Sequence, residues 1–260
     1  MRQPRGLAVG AARALIVAAS TTALLCACSG GAPEANPTPT RTANVPSVSP
    51  SASPTPTSRA RPPEQHDSLV ATAVVRSVAA HRSPGGPVSS TWKNPRRAGV
   101  PLTFRVVAAR GGWLQVQLPQ RPNGSTGWVV AADVRLTRVS YRLVVSTEDN
   151  TLTLFDGGVR VARYTVATGT GGTPTPHGSF YLTELLSPTN HGYGPFAFGL
   201  SAFSEALSSF GGGPGQIGLH GTDDSSSIGH SVSHGCIRMT NRDITALAHL
   251  LPLGTPITIR

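Results

Sequence analysis

The sequence predicts a mainly β protein, with a small β-barrel at residues 67–140 followed by a larger β-rich domain at residues 141–260 that carries two short helices. Short apolar runs separated by Gly-Gly or Asn-Gly pairs indicate the barrel, because glycine adopts the backbone conformations of tight turns. Residues 113–118 alternate, which places Leu114 on one face of a strand and Trp113 on the other. Longer alternating runs in the second range indicate a separate, larger sheet.

Four strands are expected in the first range: residues 71–78, 101–108, 113–118 and 126–130. Two Gly-Trp segments lie among them, Gly112-Trp113-Leu114-Gln115-Val116 and Gly127-Trp128-Val129. These segments resemble a bacterial SH3-like domain, and that is the fold expected for residues 67–140. Both tryptophans are predicted to be structural side chains.

Turn and capping residues predict the elements of the second range. Asp156-Gly157-Gly158 indicates a hairpin turn, and a change of apolar parity after Val161 indicates a bulge in the returning strand. Ser201 and Asn241 are each expected to cap a short helix, since apolar residues follow both at helical spacing. Residues 257–259 are expected to form the last strand.

Residues 1–28 are predicted to be a lipoprotein signal peptide. Three arginines precede an apolar run at residues 14–25, which is too short to span a bilayer. The segment Leu25-Cys26-Ala27-Cys28 resembles a lipoprotein signal, which implies cleavage before Cys28 and lipidation of its thiol. The protein is then expected at the outer face of the cytoplasmic membrane, facing the cell wall. An ordinary signal peptide without a lipid is the alternative.

Cysteine usage indicates a reactive thiol. The chain has three cysteines, and loss of Cys26 together with lipidation of Cys28 would leave only Cys236 free. No intramolecular disulfide is possible in that form. Because exported proteins usually pair their cysteines or lack them, a solitary thiol indicates that it reacts.

Composition separates a tether from a basic domain. Residues 29–66 alternate proline with serine, threonine and alanine, which predicts a disordered tether. Of the net charge of +10, most lies in residues 67–140, which hold nine arginines and one lysine against two aspartates. In an exported protein this excess favours anionic wall polymers or lipid head groups over nucleic acid. A charged surface that only confers solubility is the alternative.

The run from His220 to Asn241 is too poor in apolar residues to be a packing element, so its composition indicates function. Nucleophilic catalysis by cysteine needs a thiolate, an imidazole base, a group that orients the imidazole, and N–H donors for the oxyanion. Cys236 is the candidate nucleophile, with His220 or His234 as the base. The N–H groups of Gly235 and Cys236 are the candidate oxyanion donors. Short apolar segments flank His220 and Cys236, which predicts that they meet at two adjacent strand ends.

The pair His220-Gly221, followed by Ser233-His234-Gly235-Cys236-Ile237-Arg238, resembles the L,D-transpeptidases of bacterial cell walls, the YkuD type of catalytic domain. The resemblance implies that His220 is the general base and that Cys236 becomes acylated. It also implies that the backbone carbonyl of Gly221 orients the imidazole.

Further residues are assigned supporting roles. The resemblance implies that Ser233 and His234 shape the catalytic loop. Arg238 is predicted to contact a substrate carboxylate, and Asn241 is also placed among the substrate-binding residues. Tyr193 lies in a glycine-rich segment at residues 190–195 that is expected to form a flap over the cleft.

The resemblance implies peptidoglycan stem peptides as substrates and formation of 3→3 cross-links through a Cys236 thioester. It implies no metal or organic cofactor, and it implies inhibition by carbapenems. Three alternatives stay open. Water in place of an amine would make the domain an L,D-carboxypeptidase, and loss of activity would leave a wall-binding module. A zinc site is the third alternative, with candidate ligands His220, His230, His234 and Cys236.

Overall fold

The computed structural model describes residues 67–260, which form two large β-sheets with separate hydrophobic cores. The first sheet has seven strands: β1 (Ser68–Ala73), β2 (Ser77–His81), β3 (Val88–Lys93), β4 (Thr103–Arg110), β5 (Trp113–Gln117), β6 (Thr126–Val130) and β7 (Val134–Val139). They pair in the order β3-β2-β6-β5-β4-β1-β7. Its core lies within the range predicted for the barrel, and the SH3-like character of this sheet remains a prediction.

Alternation predicted parts of this sheet correctly. In β5 the side chains of Leu114 and Val116 are buried and Trp113 is half-buried, as the pattern indicated. The single strand expected at residues 71–78 is wrong, because the chain turns between β1 and β2 and leaves Val74 55% exposed. Strands β3 and β7 were not predicted, since their outward polar residues obscure the apolar period.

The second part of the described chain contains ten strands and the α-helix. These elements are β8 (Tyr141–Ser146), β9 (Thr151–Asp156), β10 (Val159–Thr165), β11 (Thr168–Gly169), β12 (Gly178–Leu186), β13 (Ala197–Phe203), β14 (Gln216–Thr222), β15 (Ser231–Ser233), β16 (Ile237–Thr240), α1 (Asn241–Leu250) and β17 (Pro256–Ile259). Eight of the strands form a sheet in the order β10-β9-β8-β17-β12-β13-β14-β16, and β11 pairs with β15.

The parallel pair β14 and β16 forms one edge of the large sheet, with Leu219 opposite Ile237 and His220 opposite Arg238. Helix α1 follows β16 directly and contributes Ile244 to the buried cluster of the sheet. This edge therefore holds the two strands that flank the polar loop identified from the sequence.

Several predicted features of this domain are confirmed and others are corrected. The hairpin turn and the bulge are present, since Val159 pairs with Asp156 and the register shifts at Val161. The helix expected after Ser201 is wrong, because Ser201 lies in β13 and its hydroxyl accepts a hydrogen bond from the Tyr181 N–H at 3.1 Å. One α-helix therefore forms within residues 67–260 instead of two.

The cap of α1 differs from the expected one by one residue. Thr240 is the N-cap, and its hydroxyl accepts from the Asp243 N–H at 3.2 Å. Asn241 is the first helical residue. The change places the Asn241 side chain where it can pack against the neighbouring strand.

The predicted signal peptide, the lipidated Cys28 and the tether at residues 29–66 lie outside the described residues. In the range 67–260 no helix combines the length and the apolar character needed to cross a bilayer.

Candidate active site

The register of β14 and β16 brings the candidate base and nucleophile together. Cys236 directly precedes β16, and the Gly218 N–H donates to its Sγ at 3.3 Å. A Cβ placed on Gly218 would lie 3.6 Å from Cδ2 of His220 and 3.8 Å from Sγ of Cys236. The imidazole and the thiol therefore lie on the same side of the sheet, around a strand position that has no side chain. Gly218 was not identified from the sequence, where it appeared as an ordinary strand residue.

One hydrogen bond determines which tautomer His220 adopts. Its Nδ1 lies 2.6 Å from the carbonyl oxygen of Gly221, in the position that the resemblance implied for the orienting group. A carbonyl oxygen only accepts, so Nδ1 must carry the proton. In the neutral ring the lone pair is then on Nε2, which is the nitrogen available to take a proton.

The electrostatics of the pair favour uncharged groups at rest. Burial lowers the pKa of His220 to about 4. The hydrogen bond to Gly221 raises this pKa, and the nearby charge of Arg238 lowers it further. Burial raises the pKa of the Cys236 thiol, and the Gly218 N–H and Arg238 oppose this rise. At neutral pH the pair is therefore a thiol beside a neutral imidazole. A thiolate can form when His220 Nε2 removes the proton as the sulfur attacks.

The pair opens into a groove of about 280 Å³. His220 is only 4% exposed, whereas Cys236 is half-buried at the floor of the groove. Tyr193, Phe210 and Arg238 contribute to the walls. The groove is thus large enough to admit part of a peptide, and Cys236 lines it.

The predicted flap residue Tyr193 lies next to the base. Its ring centroid is 4.5 Å from that of His220, with the rings tilted by 42°. Burial and the neighbouring Cys236 raise the pKa of the Tyr193 hydroxyl, so it stays protonated and can donate a hydrogen bond. The segment that carries it begins at Asn190, whose side chain accepts from the Gly192 N–H at 3.0 Å.

Ser233 shapes the loop before the nucleophile. It is 1% exposed, and its Oγ donates to the Cys236 carbonyl at 2.6 Å while accepting from the Gly235 N–H at 3.1 Å. The Gly235 N–H is therefore already paired, so its expected role as an oxyanion donor is not supported in this conformation. Within residues 67–260 the Cys236 N–H has no backbone acceptor, which leaves it available to an oxyanion.

Thr175 is a buried residue whose part in the site was not predicted. Its Oγ1 donates to the Gly235 carbonyl at 2.9 Å and accepts from the Gly169 N–H at 2.8 Å. The Gly235 carbonyl and the Cys236 N–H belong to one planar trans peptide, so they point in opposite directions. Holding the carbonyl therefore also holds the direction of the Cys236 N–H. The Thr-Pro repeat around Thr175 was visible in the sequence, but its partner lies 60 positions away.

His234 occupies a different position from His220. It is exposed, and its ring stacks on Phe210 with centroids 5.1 Å apart and planes 26° apart. His234 belongs to the wall of the groove, whereas the His220 ring and the Cys236 thiol both lie beside Gly218. Of the two histidines considered as the base, His220 has the suitable geometry.

The structure separates the two remaining substrate-binding candidates. Arg238 lines the groove, opposite His220 in the strand register. Asn241 does not line it, because its side chain packs behind Gly221 and donates to Asp223 at 2.9 Å. Asn241 faces a second cavity of about 410 Å³, and its role in substrate binding stays a prediction.

Within residues 67–260 there is no group of three or more His, Cys, Asp or Glu side chains that could hold a metal ion. The four residues considered as zinc ligands thus do not form such a group. Of these four, His220 and Cys236 come together at the groove, and within residues 67–260 the Cys236 N–H has no backbone acceptor.

A histidine within one strand and a cysteine directly before the neighbouring parallel strand form a pair suited to acyl transfer through sulfur. Residues 140–259 match the YkuD family model, which describes an L,D-transpeptidase catalytic domain. This match and the relatives described below support a YkuD-type L,D-transpeptidase catalytic domain in this part of the chain.

Relatives match the same part of the chain. YkuD of Bacillus licheniformis is 39% identical and YkuD of Bacillus subtilis 38% identical, each over 122 residues. Each alignment covers 46% of this chain and 66% of the relative. The solved structure of Bdellovibrio bacteriovorus Bd1075 is 28% identical and covers 47% of this chain and 48% of its own, with a TM-score of 0.39 that is too low to establish a shared fold.

Proposed function

We propose that the protein is a peptidoglycan L,D-transpeptidase that forms 3→3 cross-links between stem peptides through a thioester on Cys236. The observation that carries this proposal is the placement of the His220 imidazole and the Cys236 thiol around Gly218, at the floor of an open groove. The family of residues 140–259 supports the choice of substrate.

In the first half-reaction the sulfur of Cys236 attacks the carbonyl between the third stem residue and the terminal D-Ala. His220 Nε2 takes the thiol proton, so that carbon–sulfur bond formation does not require a thiolate at rest. The negative charge that develops on the carbonyl oxygen is stabilised by the Cys236 N–H, and Tyr193 is close enough to the base to assist.

Collapse of the tetrahedral intermediate breaks the peptide bond, and the imidazolium of His220 gives its proton to the leaving D-Ala amine. The acyl group then remains on Cys236 as a thioester. In the second half-reaction His220 deprotonates the side-chain amine of a neighbouring stem. That amine attacks the thioester, and the thiol is restored as the cross-link forms.

Arg238 is proposed to hold the carboxylate of the departing D-Ala. Its guanidinium lines the groove from the strand position beside His220, and guanidinium groups bind carboxylates through two parallel hydrogen bonds. The same positive charge lowers the pKa of the thiol, which assists its ionisation during attack.

Product analysis on purified disaccharide-tetrapeptide tests the proposal. The wild-type protein should release D-Ala and accumulate a cross-linked dimer, whereas Cys236→Ala should do neither. A trimmed tripeptide without dimer would show that water resolves the thioester and that the protein is an L,D-carboxypeptidase. Intact tetrapeptide, together with no mass shift on incubation with a carbapenem, would leave the wall-binding module as the remaining candidate.

We also propose that the protein is exported and anchored by a lipid on Cys28, with residues 29–66 acting as a tether and residues 67–140 contacting anionic wall polymers. The arginine excess in residues 67–140 supports the last of these. Mass analysis of membrane-extracted protein tests the anchor, since Cys28→Ala should remove a lipid-sized mass. Salt-sensitive co-sedimentation with purified cell wall tests the polymer contact.

A further inference from the structure

We propose that the loop joining β5 to β6 is a positioning element for the active site, which holds one wall of the substrate groove in place from the first sheet. The inference rests on the proposed function for its effect on substrate binding. It assigns to residues 121–123 a part in the reaction of the catalytic domain, through contacts with residues 80 to 93 positions further along the chain.

The contact centres on one guanidinium group. Arg121 Nη1 donates to the Pro214 carbonyl at 2.6 Å, and Nη2 donates to the carbonyls of Ser204 and Leu207 at 2.9 and 2.8 Å. All three acceptors belong to the segment at residues 204–215, which joins β13 to β14. A single side chain thus holds both ends and an intermediate point of that segment.

Asn123 adds a second attachment from the same loop. Its Nδ2 donates to the Phe203 carbonyl at 2.8 Å, and its Oδ1 accepts from the Phe203 N–H at 2.9 Å. The side-chain amide therefore pairs with Phe203 as a neighbouring strand would. The Arg121 guanidinium also lies over the Phe203 ring, 5.1 Å from its centroid.

The held segment needs such support because of its composition. It contains three consecutive glycines at 211–213, and glycine has the largest backbone freedom to lose. Its internal bonds join the segment only to itself: the Ser204 N–H donates to the Gly215 carbonyl at 2.8 Å, the Leu207 N–H donates to Ser204 Oγ at 3.0 Å, and Phe210 and Gly213 exchange bonds at 3.0 and 2.9 Å. None of these bonds determines where the segment lies relative to the groove.

The tip of the segment forms part of the groove. Phe210 and Gly211 line it, and Phe210 stacks on His234 at 5.1 Å. A Cβ on Gly211 would lie 4.0 Å from the Tyr193 hydroxyl, so the tip also approaches the flap on the other wall. Displacement of the segment would change the groove width on the side of Phe210, while the Gly218 and Cys236 contact would remain.

The chemistry explains why an arginine stands at this position. Guanidinium offers five N–H donors in a fixed planar fork, so it can reach three carbonyls that converge from different directions. An ammonium group is a point charge on a flexible stem and cannot hold the same geometry. Arg121→Lys therefore keeps the charge while removing the fork, and Arg121→Ala removes both.

The test compares Arg121→Ala, Arg121→Lys and Asn123→Ala in the full chain, with Arg110→Ala as a matched control on an exposed arginine of the same sheet. We expect KM for disaccharide-tetrapeptide to rise about tenfold in Arg121→Ala, with a smaller change in kcat. Alkylation of Cys236 by iodoacetamide should stay within about twofold of wild type, since the thiol and its base are untouched. Arg110→Ala should match wild type in both assays.

Hydrogen exchange gives a readout that does not depend on activity. Amides of residues 207–213 should exchange faster in both Arg121 variants, whereas amides of β14 and β16 should not change. Unchanged exchange and an unchanged KM in Arg121→Ala and Asn123→Ala would overturn the positioning role. If the exchange changes but wild-type protein releases no D-Ala, the attachment stands and the proposed function fails. If Arg121→Ala does not fold, the same comparison is made with Arg121→Lys.

Discussion

Replacing Thr175 by valine tests whether a buried hydroxyl orients the oxyanion donor. Valine has nearly the shape of threonine, so the substitution removes the hydroxyl without opening a large cavity. Two backbone groups lose their partner, namely the Gly235 carbonyl and the Gly169 N–H. The peptide between Gly235 and Cys236 then loses the bond that holds its carbonyl, so the direction of its N–H is less well fixed.

The surroundings of Thr175 set the size of two effects, the loss of stability and the loss of acylation rate. Thr175 is 2% exposed, so neither orphaned group can readily turn to water. An unpaired buried polar group costs about 1–3 kcal/mol, so with two such groups we expect the variant to lose roughly 2–6 kcal/mol of stability. Loss of one oxyanion donor lowers kcat by about 100- to 1000-fold, which is the upper limit here because the Cys236 N–H is still present. A fall of about tenfold or more in the rate of acylation is expected.

The assay is the rate of carbapenem acylation of Cys236, followed by intact mass, beside the rate of alkylation by iodoacetamide. Only acylation develops negative charge on an oxygen, so only acylation should slow. Thr175→Ser keeps the hydroxyl and loses a methyl group, which makes it the matched control. It should acylate at close to the wild-type rate.

A folded Thr175→Val protein that acylates within twofold of wild type would refute the orientation argument. Equal losses in acylation and alkylation would also refute it, because they would show general disorder of the loop. Folding is checked by thermal unfolding of all three proteins before the rates are compared.

Three further predictions concern the residues around the thiol. In His220 the folded pKa of about 4 lies below the unfolded value of 6.5, so stability should fall by roughly 3 kcal/mol as pH drops from 6.5 to 4. His220→Asn should lose this dependence in urea unfolding. Gly218→Val should slow carbapenem acylation by about tenfold or more by pushing the base and Cys236 apart, while Gly218→Ala, whose Cβ makes ordinary contacts, should retain it. Arg238→Gln should raise the pKa of His220, measured by NMR titration, because Arg238 helps to lower it; an unchanged pKa would contradict that contribution.

Sequence patterns predicted the larger elements where burial follows a simple period. Strand β5 and the hairpin between β9 and β10 formed as expected, and α1 buries the apolar stripe containing Ile244 and Leu247. The pattern failed at Ser201, where apolar residues at helical spacing belong to a strand end and a loop. There the contacts of Ser201 with Tyr181 and of Phe203 with Asn123 outweigh local preference.

The candidate site was partly visible in the sequence. His220, Gly221 and Cys236 lie in one short run, and their roles could be assigned as a hypothesis before the geometry was known. The structure shows the surroundings of two neighbours in that run, since the Gly235 N–H is paired with Ser233 and the Asn241 side chain lines a different cavity. Residue type identified the candidates, but it did not show which of their polar atoms already had a hydrogen-bond partner.

What the sequence determined by itself is the set of candidate groups: a lone thiol of the described domain, a histidine upstream of it, and two short apolar segments that flank them. The tertiary structure decided the protonation of that pair, because burial of His220 and Cys236 depends on everything packed around them. It also decided what holds the groove, since Thr175 reaches Gly235 across 60 positions and Arg121 reaches Ser204 across 83. Contacts between such distant residues leave no periodic pattern in the sequence, so they can be identified only in the folded structure.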